Sequence, residues 1–308
     1  MRVIITGGTG LIGRTLSTDL ASDGHDVIVL SRAPERAAGL PEGVRVERWD
    51  ARTADGWGHL AEGADAIVNL AGANLGGKSF FPSRWTPERK RLIRDSRVHA
   101  GRAVLEAVEG ARVKPKVVIQ ASGVGYYGPT GDEIVTEDTP PGDDFLATLA
   151  SEEWEPSTAP VERMGVRRAI IRSGAVLDAK EGALPRLLLA YRLFVGGYLG
   201  SGKQWLPWIH KKDEAAAIRF LIENEEASGP LNLTAPGALT HAEFGKVAGR
   251  VMGRPSYIRV PGFALRLAFG EVSKVVLEGQ QAIPKRLLEL GFNFRFPKAE
   301  AALRDLLK

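Results

Sequence analysis

The chain has 308 residues, 44% hydrophobic and 25% charged, enough for one large domain or two lobes around a substantial core. Its formal net charge of +4, from 41 basic and 37 acidic residues, is small and scattered, which argues against nucleic acid as a partner, and the absence of cysteine excludes disulfides, a thiolate nucleophile and Cys-ligated metals. No apolar run approaches a membrane span, and a strand and glycine turn follow Met1 where a signal peptide would differ, so a cytoplasmic protein with no membrane partner is expected.

Residues 1–13 read MRVIITGGTGLIG. Val3, Ile4 and Ile5 predict a buried strand, and residues 11–21, with Leu11, Ile12, Leu16 and Leu20 at helical spacing, predict a helix. Between them, glycines at 7, 8, 10 and 13 satisfy a GxGxxG spacing in the strand–turn–helix context that a dinucleotide site requires. One glycine lets the backbone turn, one lets a phosphate approach, and one lets helix pack on strand, while the helix N-terminus offers free N–H groups to a pyrophosphate. Gly7, Thr9, Gly10, Leu11, Ile12 and Gly13 are therefore candidate cofactor contacts. The competing reading is a turn kept for tight packing alone.

Residues 26–31 (DVIVLS) predict a second buried strand, completing a βαβ unit. At its tip, where NAD-specific sites place an acid, stand Ser31 and Arg32, with no acid until Glu35. A guanidinium there pairs with a 2′-phosphate and lies against adenine, which favours NADP(H). Residues 44–49 predict a third strand with Asp50 at its end, where adenine-contacting acids commonly sit, and 64–73 a fourth, ending in the small residues Ala71 and Gly72. A helix over 85–108 is crowded with Arg89, Lys90, Arg91, Arg94 and Arg97, which reads mainly as a solvated face. Strands follow at 117–122, before a GVGYYGPTG loop, and at 166–171, leading into Arg172, Ser173 and Gly174.

This alternation predicts an α/β fold, a Rossmann-type doubly wound parallel sheet complete by about residue 175, with its strand ends converging on one crevice. Beyond it come helices over 184–195 and 213–223, a glycine loop at 196–202, an aromatic segment at 204–210 and a short strand at 231–234. A helix capped by Thr240 runs to about residue 252. The tail adds helices at 262–269, 284–290 and 298–307 and an alternating GFNFRF strand at 291–296. The expected division is a Rossmann domain over 1–175, with a returning segment at about 204–235, and a smaller α+β substrate lobe from 176–203 and 236–308.

With TGGTGLIG at the start and SGVGYYG at 122–128, the chain resembles the extended short-chain dehydrogenase/reductases. NLAGAN (69–74), RWTPERK (84–90), DSRV (95–98), DFL (144–146), WE (154–155), RSGAVL (172–177), GSGKQWLPWIH (200–210) and GFNF (291–294) make it similar to an atypical branch, the sugar-nucleotide-epimerase family proteins. The resemblance implies a Rossmann lobe holding NADP(H) and a C-terminal lobe holding a small-molecule substrate. It places Gly7, Gly10 and Gly13 at the pyrophosphate, Ser31 and Arg32 at the 2′-phosphate, and Leu70 and Ala71 beside the adenosine ribose. It also points Arg97 toward the cofactor and puts Ser122 in the position of the family's catalytic serine.

One part of the family pattern is missing. The extended reductases use a tyrosine with a lysine four residues on, whose charge lowers the phenol pKa. Here the residues four beyond each tyrosine are Thr130, Gly131, Val195, Gly202 and Pro261, and no lysine lies between Lys116 and Lys180. Tyr126 and Tyr127, beyond Ser122, are the replacement candidates for catalysis; ordinary loop packing is their alternative. His210, ionisable near neutrality, and Trp205 and Trp208, able to stack on a sugar or base, are candidate substrate contacts, with packing as their alternative. His, Asp and Glu show no metal-ligand spacing. Two functions stay open: an NADP(H)-dependent oxidoreductase or epimerase-like enzyme on a small polar substrate, and a non-catalytic NADP(H)-binding regulatory or cell-division-associated protein.

Overall fold

Seven strands form one parallel sheet in the computed structural model, which describes residues 1–77 and 79–308. They are β1 (Arg2–Thr6), β2 (Asp26–Ser31), β3 (Arg45–Arg48), β4 (Ala66–Asn69), β5 (Val117–Gly123), β6 (Arg167–Ser173) and β7 (Gly229–Leu233), in the order β7-β6-β5-β4-β1-β2-β3. β1 pairs with β2 on one side and β4 on the other, so the chain winds outward in both directions from there. Such a reversal opens a crevice beyond the carboxyl ends of the strands. The apolar runs in β1, β2, β4 and β5 are buried throughout, as a sheet covered on both faces demands.

Helix α1 (Leu11–Ser22) and the later α4 (Lys211–Glu223) cover one face, where Leu16 and Leu20 meet Ile218 and Leu221 over Val3 and Ile5. Helix α2 (Pro87–Gly110) covers the other, with Ala100, Val104 and Val108 over Ile4, Ile28 and Ile67. A separate core, from Leu184 and Leu188 of α3 (Leu184–Arg192), Phe244 and Val247 of α5 (His241–Met252) and Leu303 of α6 (Ala299–Leu306), supports the C-terminal part. Among the described residues no helix is long and apolar enough to cross a membrane.

Within the returning segment, Gly229–Leu233 enters the main sheet beside β6, whereas Trp205–Leu206 and Trp208–His210 form small ladders elsewhere. The GFNFRF strand is corrected: residues 291–296 form no strand. The N–H groups of Arg295 and Phe296 donate to the two carboxylate oxygens of Asp213, each at 2.9 Å, and so are spent on a side chain instead of a neighbouring strand. Its alternating phenylalanines split between two cores, Phe292 against Phe220 and Phe296 against His210.

Candidate functional site

The glycine turn packs so closely on its own backbone and on the end of β4 that side chains would not fit. Gly7 has φ +66°, and a Cβ there would lie 2.8 Å from the carbonyl carbon and oxygen of Leu70. A Cβ on Gly13 would strike the Cα of Gly8 and sit 2.7 Å from the Gly7 carbonyl oxygen. Gly10 caps α1 without a side-chain hydrogen bond, and the first turn holds no acid. The opening N–H groups of α1 and the positive end of its dipole are thus left for an anion. Beside the turn, a buried chain of polar groups fixes the neighbouring strand ends. Thr6 Oγ1 donates to Asn69 Oδ1 at 2.6 Å, Asn69 Nδ2 donates to Gln120 Oε1 at 3.0 Å, and the N–H of Ala71 donates to Thr6 Oγ1 at 3.2 Å. Leu70, Ala71 and Gly72 follow β4 at the crevice, with Gly72 exposed.

At the tips of β2 and β3 lies an open cleft of about 600 Å³, lined by Arg32, Glu47, Arg48, Trp49, Asp50, Asp55 and Gly56. Arg32 is exposed, and its guanidinium makes no ion pair among the described residues. Glu35, the acid that could compete for it, is paired with Arg48 at 2.9 Å, and Arg48 also donates to the Arg32 carbonyl at 3.1 Å. Ser31 is buried, its hydroxyl accepting from the N–H of Ala33. Asp50 folds back on its own turn, accepting from the N–H groups of Arg52 and Thr53.

The chemistry-bearing cluster sits at the ends of β5 and β6. Ser122 donates to Glu155 Oε1 at 2.6 Å, and Arg172 grips the same carboxylate through Nε at 2.9 Å and Nη2 at 3.0 Å. All three are nearly buried, with 7%, 7% and 4% of their surface exposed. Glu155 reaches this point because the chain after Phe145–Thr148 leaves the α-helix. A widened π turn over Leu149–Trp154 is followed by tight 3-10 turns over Glu155–Met164. Pro156 and Pro160 have no N–H to continue an α-helical ladder, and insertions of this kind recur at functional sites. Burial opposes the charge of Arg172, but Glu155 and Tyr127 more than offset it and hold the guanidinium above its ordinary pKa.

The adjacent tyrosines part company. Tyr127 is 3% exposed, donates to Asn232 Oδ1 at 2.7 Å and accepts from Arg172 Nη1 at 3.1 Å. Burial, only partly offset by Arg172, pushes its phenol up to about 12, away from the range of a neutral-pH acid–base. In this structure the Tyr127 hydroxyl is engaged by Asn232 and braces Arg172. Tyr126 is partly exposed, and its ring lies under the same guanidinium, with Arg172 Cζ 3.4 Å from the centroid. It stays beside the cluster.

Trp208 and His210, expected as substrate contacts or packing residues, both lie in the interior. Trp208 is 1% exposed and donates through Nε1 to the Gly237 carbonyl. His210 is fully buried, stacks on Phe296 with centroids 3.9 Å apart, and caps α4 by accepting from the N–H of Lys212 through Nδ1. Burial, outweighing Asp305 at 3.4 Å, pushes it down to about 4, so it is neutral near pH 7. Trp205 remains partly exposed, with its indole N–H on Asp132. Arg97 is 8% exposed and lies under Gly72; its Nη1 donates to the carbonyls of Ala73 and Ile93, and its guanidinium faces Trp154. Burial and then Arg89 push it down to about 10, and it meets no carboxylate among the described residues.

A second buried acid is held by Ser173, the residue that follows Arg172. Glu214 accepts from the Ser173 hydroxyl at 2.6 Å, while its other oxygen has no partner among the described residues. Burial pushes Glu214 up to about 8 despite that hydrogen bond. A carboxyl whose pKa is raised by folding binds its proton more tightly in the native state. Its contribution is therefore complete below the unfolded value, near 4.5, and is lost as pH climbs toward 8. Glu214→Gln keeps the volume without the titration. It is expected to leave stability unchanged at pH 4–5 and raise it by about 1–3 kcal/mol at pH 9, read by urea unfolding across that range. A constant difference at every pH would show that Glu214 does not titrate as described.

Residues 3–150 match the NAD dependent epimerase/dehydratase family, and residues 260–306 match a domain of unknown function, DUF1731. The chain is 39% identical over its whole length to the epimerase family protein YfhF of Bacillus subtilis, covering 98% of that protein. It belongs to the epimerase family. An Arabidopsis thaliana member, the chloroplastic SDR39U1 homolog, is 37% identical over all of this chain and 87% of its own. The crystal structure of human epimerase family protein SDR39U1 with NADPH superimposes on this epimerase-family chain with TM-score 0.88, at 35% identity and 99% coverage of both. A nucleoside-diphosphate sugar epimerase from Corynebacterium glutamicum gives TM-score 0.77 at 33% identity, over all of this chain and 58% of that one.

Glu155 and Arg172 are the site residues that sequence reasoning passed over. Both stand in stretches that carried the resemblance, WE and RSGAVL, but spacing gave no sign that they meet.

Proposed function

We propose that this epimerase-family chain binds NADP(H) and is an oxidoreductase acting on a small polar substrate. The observation that carries this reading is convergence. The glycine turn, the unpaired Arg32 and the Ser122–Glu155–Arg172 cluster all lie at carboxyl ends of one parallel sheet. The turn fits a pyrophosphate, since α1 opens there with no side-chain cap and no acid in its first turn, and Arg32 fits the 2′-phosphate of NADP(H). The NADPH in the human relative's structure supports the same choice. When bound, NADP(H) supplies or takes a hydride; the residues of this chain hold the substrate and move its proton. A cofactor-binding regulator without turnover is the second reading, favoured by the burial of Tyr127 and the missing tyrosine–lysine pair.

Two measurements test the proposal. Fluorescence titration is expected to give NADPH at least about tenfold tighter binding than NADH, as one charge-assisted phosphate pair implies. The NADPH-loaded protein is also expected to reduce 9,10-phenanthrenequinone, followed at the cofactor's absorbance. Tight NADPH binding with no consumption would support the regulator, and equal weak binding of both cofactors would end the NADP(H) assignment.

A further inference from the structure

The direction of the hydrogen bonds at the ends of β5 and β6 constrains what the site receives. A carboxylate held in a bidentate grip by an arginine can only accept, so the bond of 2.6 Å between Ser122 and Glu155 is donated by the serine. Ser122 has one proton, and it is spent. While Glu155 is ionised, the serine oxygen keeps only acceptor capacity, which takes a hydrogen bond from a substrate hydroxyl and offers none to a substrate carbonyl.

We propose that Ser122 and Glu155 form a proton-accepting pair in place of the absent tyrosine–lysine pair, and that the substrate enters it as an alcohol. This rests on the oxidoreductase reading. In the step, the substrate O–H bond breaks and its proton bonds to Ser122 Oγ. The Ser122 O–H bond breaks with it, and that proton passes along the existing hydrogen bond to Glu155 Oε1. The electron pair of the substrate O–H bond stays on the substrate oxygen, so one negative charge moves from Glu155 to that oxygen and one proton moves the other way. Ser122 ends as it began. The reverse step returns the proton by the same two bonds.

Arg172 positions this pair. Its Nη2 holds Oε2 at 3.0 Å, which fixes the carboxylate plane and keeps Oε1 toward Ser122. The Tyr126 ring under the guanidinium, and Tyr127 at 3.1 Å from Nη1, hold Arg172 in turn. With Ser122 and Glu155 each only 7% exposed, water competes little for the transfer. The alternative is that Glu155 and Arg172 merely bolt the irregular turns of Glu155–Met164 to the sheet, with Ser122 an incidental donor.

The test compares the wild type with Ser122→Ala, Glu155→Gln, Glu155→Asp and the Ser122→Ala/Glu155→Gln double variant. Each is assayed for NADP⁺-dependent oxidation of cyclohexanol and NADPH-dependent reduction of 9,10-phenanthrenequinone, and for NADPH affinity by fluorescence. Ser122→Ala leaves the Glu155–Arg172 pair intact, so it reads the pair even if Glu155→Gln folds poorly. Both single variants are expected to lose about 100-fold in kcat, within the range of general acid–base catalysis, with KM and the NADPH Kd within about threefold of wild type. The double variant is expected to be no slower than the singles, as groups acting as a unit behave, and Glu155→Asp to recover about tenfold over Glu155→Gln. An active wild type with either single variant within about threefold of it, or losses that multiply in the double variant, would overturn the pair alone. A wild type inactive in both directions would overturn the oxidoreductase reading and the pair with it.

Discussion

Arg172→Met is expected to be the most damaging single substitution for the fold around the site, lowering stability by about 3–5 kcal/mol. The guanidinium makes two bonds to Glu155 and one to Tyr127 and lies on the Tyr126 ring, all in a region where the partners are nearly buried. Removing it strands a carboxylate in the interior and takes a donor from the Tyr127 hydroxyl. Desolvating an unpaired charge costs several kcal/mol, whereas the pair itself contributes little net stability against apolar residues of the same shape. A second substitution separates these effects. Adding Glu155→Leu to Arg172→Met removes the stranded charge and is expected to recover about 2–3 kcal/mol, although the proton-accepting pair is then gone. Urea midpoints for the two variants and the wild type decide it. If Arg172→Met alone costs less than about 1 kcal/mol, the ion pair is not formed in solution as described.

The route by which this cluster escaped sequence reasoning is physical. The glycine turn was legible because strand, turn and helix are contiguous and each glycine answers a local steric demand, as the near contacts of Gly13 with Gly8 and Gly7 show. The order of elements through β6 was legible for the same reason, since buried strands read as apolar runs. Glu155 and Arg172 meet only because the chain abandons the α-helix at Leu149–Trp154 and turns tightly through Pro156 and Pro160. No helical periodicity predicts that path. The tyrosines pose a different difficulty. Tyr126 and Tyr127 are neighbours in a tight turn, so one is buried and the other only partly so, and composition cannot say which.

The segment at 204–210 shows a related ambiguity. An ionisable or aromatic residue looks alike in the wall of a cleft and in a core, and here His210 and Trp208 went to the core. GFNFRF alternates as an edge strand would, yet its alternation records two separate cores, and Asp213 takes the N–H groups a strand would have used. In both cases side-chain pattern described burial correctly and the backbone's partners were invisible to it.

Arg32→Asp is expected to weaken NADPH binding by about 100-fold and NADH binding by less than about threefold. The size follows from the charges. A charge-assisted hydrogen bond to a phosphate contributes about 1.5–3 kcal/mol, and a carboxylate in the same place adds repulsion of the phosphate. The neighbourhood offers no ready substitute. Arg48 is committed to Glu35 at 2.9 Å and to the Arg32 carbonyl at 3.1 Å, and recruiting it would release the acid that it neutralises. Arg48→Ala should therefore weaken NADPH mainly by freeing Glu35, and Glu35→Gln in the same chain should restore most of the loss. The Arg32 effect should shrink as salt is raised, since the cleft is open and its charges are screened. Equal loss of both cofactors on Arg32→Asp would mean that the residue shapes the adenine cleft and leaves the 2′-phosphate to another cation.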